Sequence, residues 1–110
     1  MFVILALVPF ALVAAVLVSN AYARHHLNER LVYWRAETSR LVPPGSEVST
    51  VRAFAAGHGL DLHCNSAITE CSARDSAEFG VLPTWHVHLS FQVNQGRVAG
   101  SEITPLGVGL

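Results

Sequence analysis

Residues 2–18 read FVILALVPFALVAAVLV, with no charged and no hydrogen-bonding side chain among them. Extended through Ala23, the segment reaches the roughly 20 residues that an α-helix needs to cross a hydrocarbon core about 30 Å thick. The expectation is a transmembrane anchor over residues 1–23, in contact with membrane lipid through residues 2–23. Pro9 is compatible with it, because membrane helices tolerate proline where neighbouring groups satisfy the freed carbonyl. A signal peptide is the competing expectation. Ala21-Tyr22-Ala23 supplies the small residues of a cleavage site, but the start carries no Lys or Arg and the run exceeds the 7 to 15 residues typical of a signal. The uncleaved anchor is favoured.

Working outward from the run, residues 20–42 contain neither Gly nor Pro, and Leu27, Leu31, Trp34, Thr38 and Leu41 recur at steps of three and four. This spacing predicts an amphipathic helix, a stalk over residues 24–42 that continues the membrane helix. Its apolar stripe serves either a homodimer through residues 27–41 or packing against the chain's own domain or the bilayer. Tyr22, Tyr33 and Trp34 are candidate interfacial aromatics. Pro43-Pro44-Gly45 ends the helix, since proline lacks the N–H and forces the preceding residue into extended conformations.

A small α+β domain is expected over residues 43–110. Ser46 is placed as an N-cap, Val48, Val51, Phe54 and Ala55 form one apolar face, and Gly57-His58-Gly59 closes the short helix. The period then changes to two. Leu60, Leu62 and Cys64 alternate with polar neighbours, residues 67–71 suggest a weaker strand, and residues 72–80 read as a polar loop. The strongest strand is residues 85–93, with Trp85, Val87, Leu89, Phe91 and Val93 on one face and His86, His88, Ser90 and Gln92 on the wet one. Asn94-Gln95-Gly96 makes a hairpin turn, residues 97–104 return, Pro105 ends the strand, and residues 106–110 form a fraying tail. The sum is a short helix packed on a three- or four-stranded antiparallel sheet.

Composition bounds the function. The net charge is −1, and all seven basic residues are arginines scattered among acids. Nucleic-acid binding gathers basic residues on one face to displace counterions, so a nucleic-acid partner is not expected. Cys64 and Cys71 either close a short disulfide loop in an oxidising compartment or remain as buried thiols. Their spacing is not the C-x2-C of structural zinc sites. The arginines at 24, 30, 35 and 40 favour a cytoplasmic domain by the positive-inside tendency. The A-x-A-like end and the cysteine pair favour export, and the expected location is the bacterial inner membrane, single-pass, with a periplasmic domain.

The order of elements resembles a known family. Pro44-Gly45-Ser46 opens a short helix carrying Val48 and Val51, and a strand ends in Phe91-Gln92-Val93-Asn94 before the turn Gln95-Gly96-Arg97. Over residues 43–103 this resembles the SmpA/OmlA (BamE-like) small envelope domains, a likeness that implies a scaffolding module of the bacterial envelope which binds without catalysis. The chain departs from that family in having no cysteine directly after the apolar run, so the lipid anchor of that type is not implied.

The one arrangement with chemical potential is histidine-rich. His86 and His88 stand two apart on one strand face, and His63 on another strand is placed to lie opposite them, a set that would suit an open metal site with Asp61 as the nearby carboxylate. The alternative is three polar residues on a solvated face. Cys64 belongs to an apolar set and makes a poor nucleophile, no serine sits in a G-x-S-x-G elbow, and no glycine loop cradles a phosphate. The expected function is a membrane-anchored, non-enzymatic interaction or scaffolding domain that needs no cofactor and binds another envelope protein. The alternatives are a metal-binding protein or metal-dependent hydrolase using His63, His86 and His88, and a secreted domain cleaved at Ala23.

Overall fold

Four antiparallel strands, each paired with its neighbour in chain order, carry two helices on one face. The structure is a computed structural model that describes residues 2–80 and 84–108, with the side chains of residues 2–8 and 108 outside the description. Helix α1 runs Phe2–Leu41 and α2 runs Val48–Gly57; the strands are β1 His63–Cys64, β2 Glu70–Arg74, β3 Thr84–Asn94 and β4 Arg97–Val108. The α+β class and the four-stranded sheet agree with the sequence reading.

Helix α1 is continuous over 40 residues and passes through Pro9 without a break. Among the described residues no helix is long and apolar enough to cross a membrane, so the expected transmembrane span is not found among them.

The two halves of α1 live in different surroundings. Phe10 is 75% and Val18 68% exposed, and Leu12, Val13, Val16 and Leu17 between them are exposed as well. From Leu27 onward the stripe is buried: Leu27, Leu31, Trp34, Thr38 and Val42 pack into one core with Val51, Phe54, Val87, Leu89 and Phe91. Full burial of each such Val, Leu or Phe contributes about 1.5–3 kcal/mol. The stripe read as a possible dimer seam over residues 27–41 is therefore covered by the chain's own sheet, and the expected stalk is part of the core.

Helix α2 begins one turn-residue later than expected. Glu47 occupies the cap position with no side-chain cap bond, while the Ser46 hydroxyl donates to the Pro43 carbonyl at 2.6 Å. Ser46 is thus a turn residue of the Pro43-Pro44-Gly45 connection, and its own amide also bonds Pro43. The C-terminal end follows the sequence reading, with Gly59 in the left-handed region at φ +68°.

The sheet departs from expectation in three places. Leu60 and Leu62 do pack on the core, but only His63 and Cys64 pair as a strand. The second strand sits three residues later than expected, because Asn65 builds the intervening turn: its side-chain Oδ1 accepts from the amides of Thr69 and Glu70, and its Nδ2 donates to the Thr69 hydroxyl. Ser72 to Arg74, read as loop, are consequently strand. Pro105 does not end β4, which runs on to Val108. Val87 turns its backbone toward β2, since its carbonyl accepts from Asp75; its partner Pro105 therefore points its missing N–H at the sheet's free edge, where no ladder bond is lost. Of the tail expected to fray, residues 109–110 lie outside the described residues.

Candidate functional site

The outer face of the sheet holds the three histidines singled out above, and strand order decides how they stand. Strand β2 lies between β1 and β3. The register aligns His63 with Ser72, and Ser72 with Ser90, whereas His88 stands in the next row beside Arg74. His63 and His88 are thus two strands and two residues apart, roughly 12 Å between α-carbons. Arg74, on the strand between them, is paired with His88. His86 is one further row along, opposite Leu106, and is buried to 6% exposure with Nδ1 lacking a hydrogen-bond partner. The expected convergence of His63, His86 and His88 does not occur. Among the described residues no group of three or more His, Cys, Asp or Glu is placed to hold a metal ion. Asp61, His63, Arg74 and His88 do border one groove on this face, which leaves His86 out.

Burial of His86 and Ser90 also corrects the reading of β3 as having one wholly wet face. Ser90 is held by Glu70 and Gln92, donating to Glu70 Oε1 at 3.1 Å and accepting from Gln92 Nε2 at 3.3 Å.

Cys64 and Cys71 are bonded as a disulfide and are directly opposite each other in the β1–β2 pair. The choice left open by the sequence, bridge or free thiols, falls to the bridge. Its loop carries Ile68, exposed at 41% and in the left-handed region at φ +51°. A β-branched side chain there is strained by about 1–2 kcal/mol.

The most constrained polar group among the described residues has no marker in the amino-acid pattern around it. Asp75, just past β2, is 2% exposed. Its Oδ2 accepts from Arg30 Nε and, at 2.8 Å, from Trp34 Nε1; its Oδ1 accepts from Arg30 Nη2 at 3.3 Å and the Ala77 amide at 3.2 Å. Burial pushes the Asp75 carboxyl up, but the bonds from Arg30, Trp34 and Ala77 together outweigh it and hold the group below the usual range. Arg30 is raised in turn, first by its hydrogen bond to Asp75, and its guanidinium lies over the rings of Tyr33 and Trp34 at 4.9 and 5.3 Å. A carboxylate with four donors has no lone pair free for a substrate proton. The triad acts as a lock that fixes α1 to the sheet only seven residues beyond Ala23.

A second tie joins the end of α1 to α2. His58 rests on Phe54 and Trp34, with ring centroids at 4.5 and 5.2 Å. Its Nδ1 faces the Phe54 carbonyl at 2.9 Å and its Nε2 faces Glu37 Oε2 at 3.2 Å. Glu37 is held below the usual carboxylate range, chiefly by Arg40 and less by His58.

Neither the Asp75 lock nor the His58 tie has a local signature. Asp75 is 45 residues from Arg30 and 41 from Trp34 in sequence, and only the packed fold brings them together. No known protein family, curated protein or solved structure matches this chain.

Proposed function

We propose that the chain is a membrane-anchored, non-enzymatic interaction module of the bacterial cell envelope, with residues 2–23 in the inner membrane and the folded part in the periplasm, where it binds another envelope protein. The observation that carries this reading is the contrast along α1. Apolar side chains from Phe10 to Val18 are exposed around the helix, a patch of a kind that soluble monomers rarely leave uncovered, and Leu27 onward is the first part to enter the core. Tyr22, Arg24, His25 and His26 follow the apolar run at the level where aromatic and cationic side chains meet headgroups. The disulfide supports a periplasmic location, since such bonds persist in oxidising compartments. The Arg30–Asp75–Trp34 lock supports a domain carried rigidly at the bilayer rather than on a loose tether. The SmpA/OmlA-like order of elements points to the same kind of envelope scaffold.

Carbonate-washed membranes from expressing cells test the anchor: the full-length protein is expected in the pellet, and recovery only in the soluble fraction overturns it. Thiol labelling in intact cells, before and after reduction, tests the compartment, with Cys64 and Cys71 reacting only after reduction. A second reading, secretion after cleavage at Ala23, is favoured by one feature: among the described residues every buried apolar side chain lies at or beyond Leu27, so a cleaved chain keeps that core. The mass of the mature protein separates the two.

A further inference from the structure

The free edge of β4 is only partly closed. In β3, Val87 and Val93 turn their backbone groups toward β2, where the Val87 carbonyl accepts from Asp75 and the Val93 amide donates to Thr69. Alternation then gives Leu89 and Phe91 to β2 as well. Their β4 partners, Ile103 and Ser101, must point their own N–H and C=O groups away from the sheet. Two features confirm this direction. Val98, paired with Val93, exchanges bonds at 2.7 Å with Gly45 and Ser46 outside the sheet, and Arg35 Nη2 reaches the Ile103 carbonyl at 3.4 Å. The α1–α2 connection therefore caps the edge at Val98, and Arg35 touches it at Ile103. Among the described residues, the N–H and C=O of Ser101 and the N–H of Ile103 have no partner outside the sheet. They border a groove whose opposite wall is α1, lined by Arg35, Thr38 and Ser39.

We propose that this groove takes an extended segment of a partner protein, which adds to β4 as a fifth strand. The site deepens the interaction reading above by naming where the partner binds. Charge placement selects the segment. Side chains of an added strand alternate between faces: one set meets Glu102 on the outer face, the next set meets Arg35 on the α1 side. Adjacent basic and acidic residues satisfy both walls at once. A second copy of this chain fits worse. Pairing β4 with β4 about Glu102 sets two carboxylates directly opposite, which is destabilising, and pairing about Ile103 sets Ser101 against Pro105, which has no N–H to give.

The probe is the peptide acetyl-Val-Thr-Lys-Glu-Thr-Val-amide, added to the full-length protein in detergent micelles while amide exchange is followed by NMR. At saturating peptide, exchange at Ser101 and Ile103 is expected to slow at least tenfold, while Glu102 and Thr104, already bonded to β3, change less than twofold. Ser101→Pro removes one outward donor and no ladder bond; it should weaken binding at least tenfold, with Ser101→Ala within twofold of wild type. Should Ser101→Pro fail to fold, Glu102→Lys serves instead: it weakens the probe at least fivefold and regains affinity when glutamate replaces the probe's lysine. No protection at Ser101 and Ile103, equal binding by the N-methylated peptide, or protection that grows with protein concentration alone would each overturn the proposal. The anchor is tested separately by membrane recovery, so failure of one leaves the other standing.

Discussion

Replacing Asp75 by Asn isolates the charge of the lock while keeping its shape. The amide oxygen still accepts from Trp34 Nε1, but the carboxylate that holds Arg30 is gone. Breaking a fully buried ion pair costs about 3–5 kcal/mol. Arg30 is 38% exposed at its side chain and turns to water when released, so the loss falls nearer that of a hydrogen bond to a charged group, about 2 kcal/mol. For a folded part of this size that corresponds to a drop in Tm of roughly 8–16 °C. The assay is thermal and urea unfolding of the full chain in detergent, followed by circular dichroism from pH 3 to 8. Asp75 titrates lower in the folded protein than in the unfolded chain, whose value is about 3.9. Its contribution is therefore complete above that value and lost as pH falls through the folded one. The gap between wild type and Asp75→Asn should be flat from pH 6 to 8 and shrink below about pH 4. Equal stability of the two proteins at pH 7, within about 0.5 kcal/mol, would refute the reasoning.

Three further outcomes are expected. Replacing Cys64 and Cys71 by Ser opens an eight-residue loop and should cost about 2.5 kcal/mol in the chain-entropy account, read as a lower urea midpoint that matches wild type under reductant. Ile68→Asn relieves a left-handed isoleucine at an exposed site and should raise stability by about 0.5–1 kcal/mol, which unfolding titrations would detect as a higher midpoint with unchanged slope. Leu31→Ala should cost about 2–4 kcal/mol, whereas Leu17→Ala, on the exposed half of the same helix, should leave the unfolding of the folded part within about 0.5 kcal/mol of wild type; comparable losses at both positions would contradict the division of α1.

The amino-acid sequence alone determined the elements whose pattern is local. The period of three and four through Leu27, Leu31, Trp34 and Thr38 announces a helix, the period of two from Val87 to Val93 announces the central strand, and Asn94-Gln95-Gly96 marks the hairpin, because backbone geometry repeats within a few residues. It also determined that Phe10 to Val18 find little use in a core this small. What covers the stripe of α1, where Asp75 goes and whether three histidines meet were decided only by tertiary structure. Each depends on strand order and register, which are set by pairings between residues far apart in the chain. The insertion of β2 between β1 and β3 separates His63 from His88, and the same pairing carries Asp75 to Arg30 and Trp34. A turn built by one asparagine shifts β2 by three residues, and with it the place of every side chain that follows on that strand.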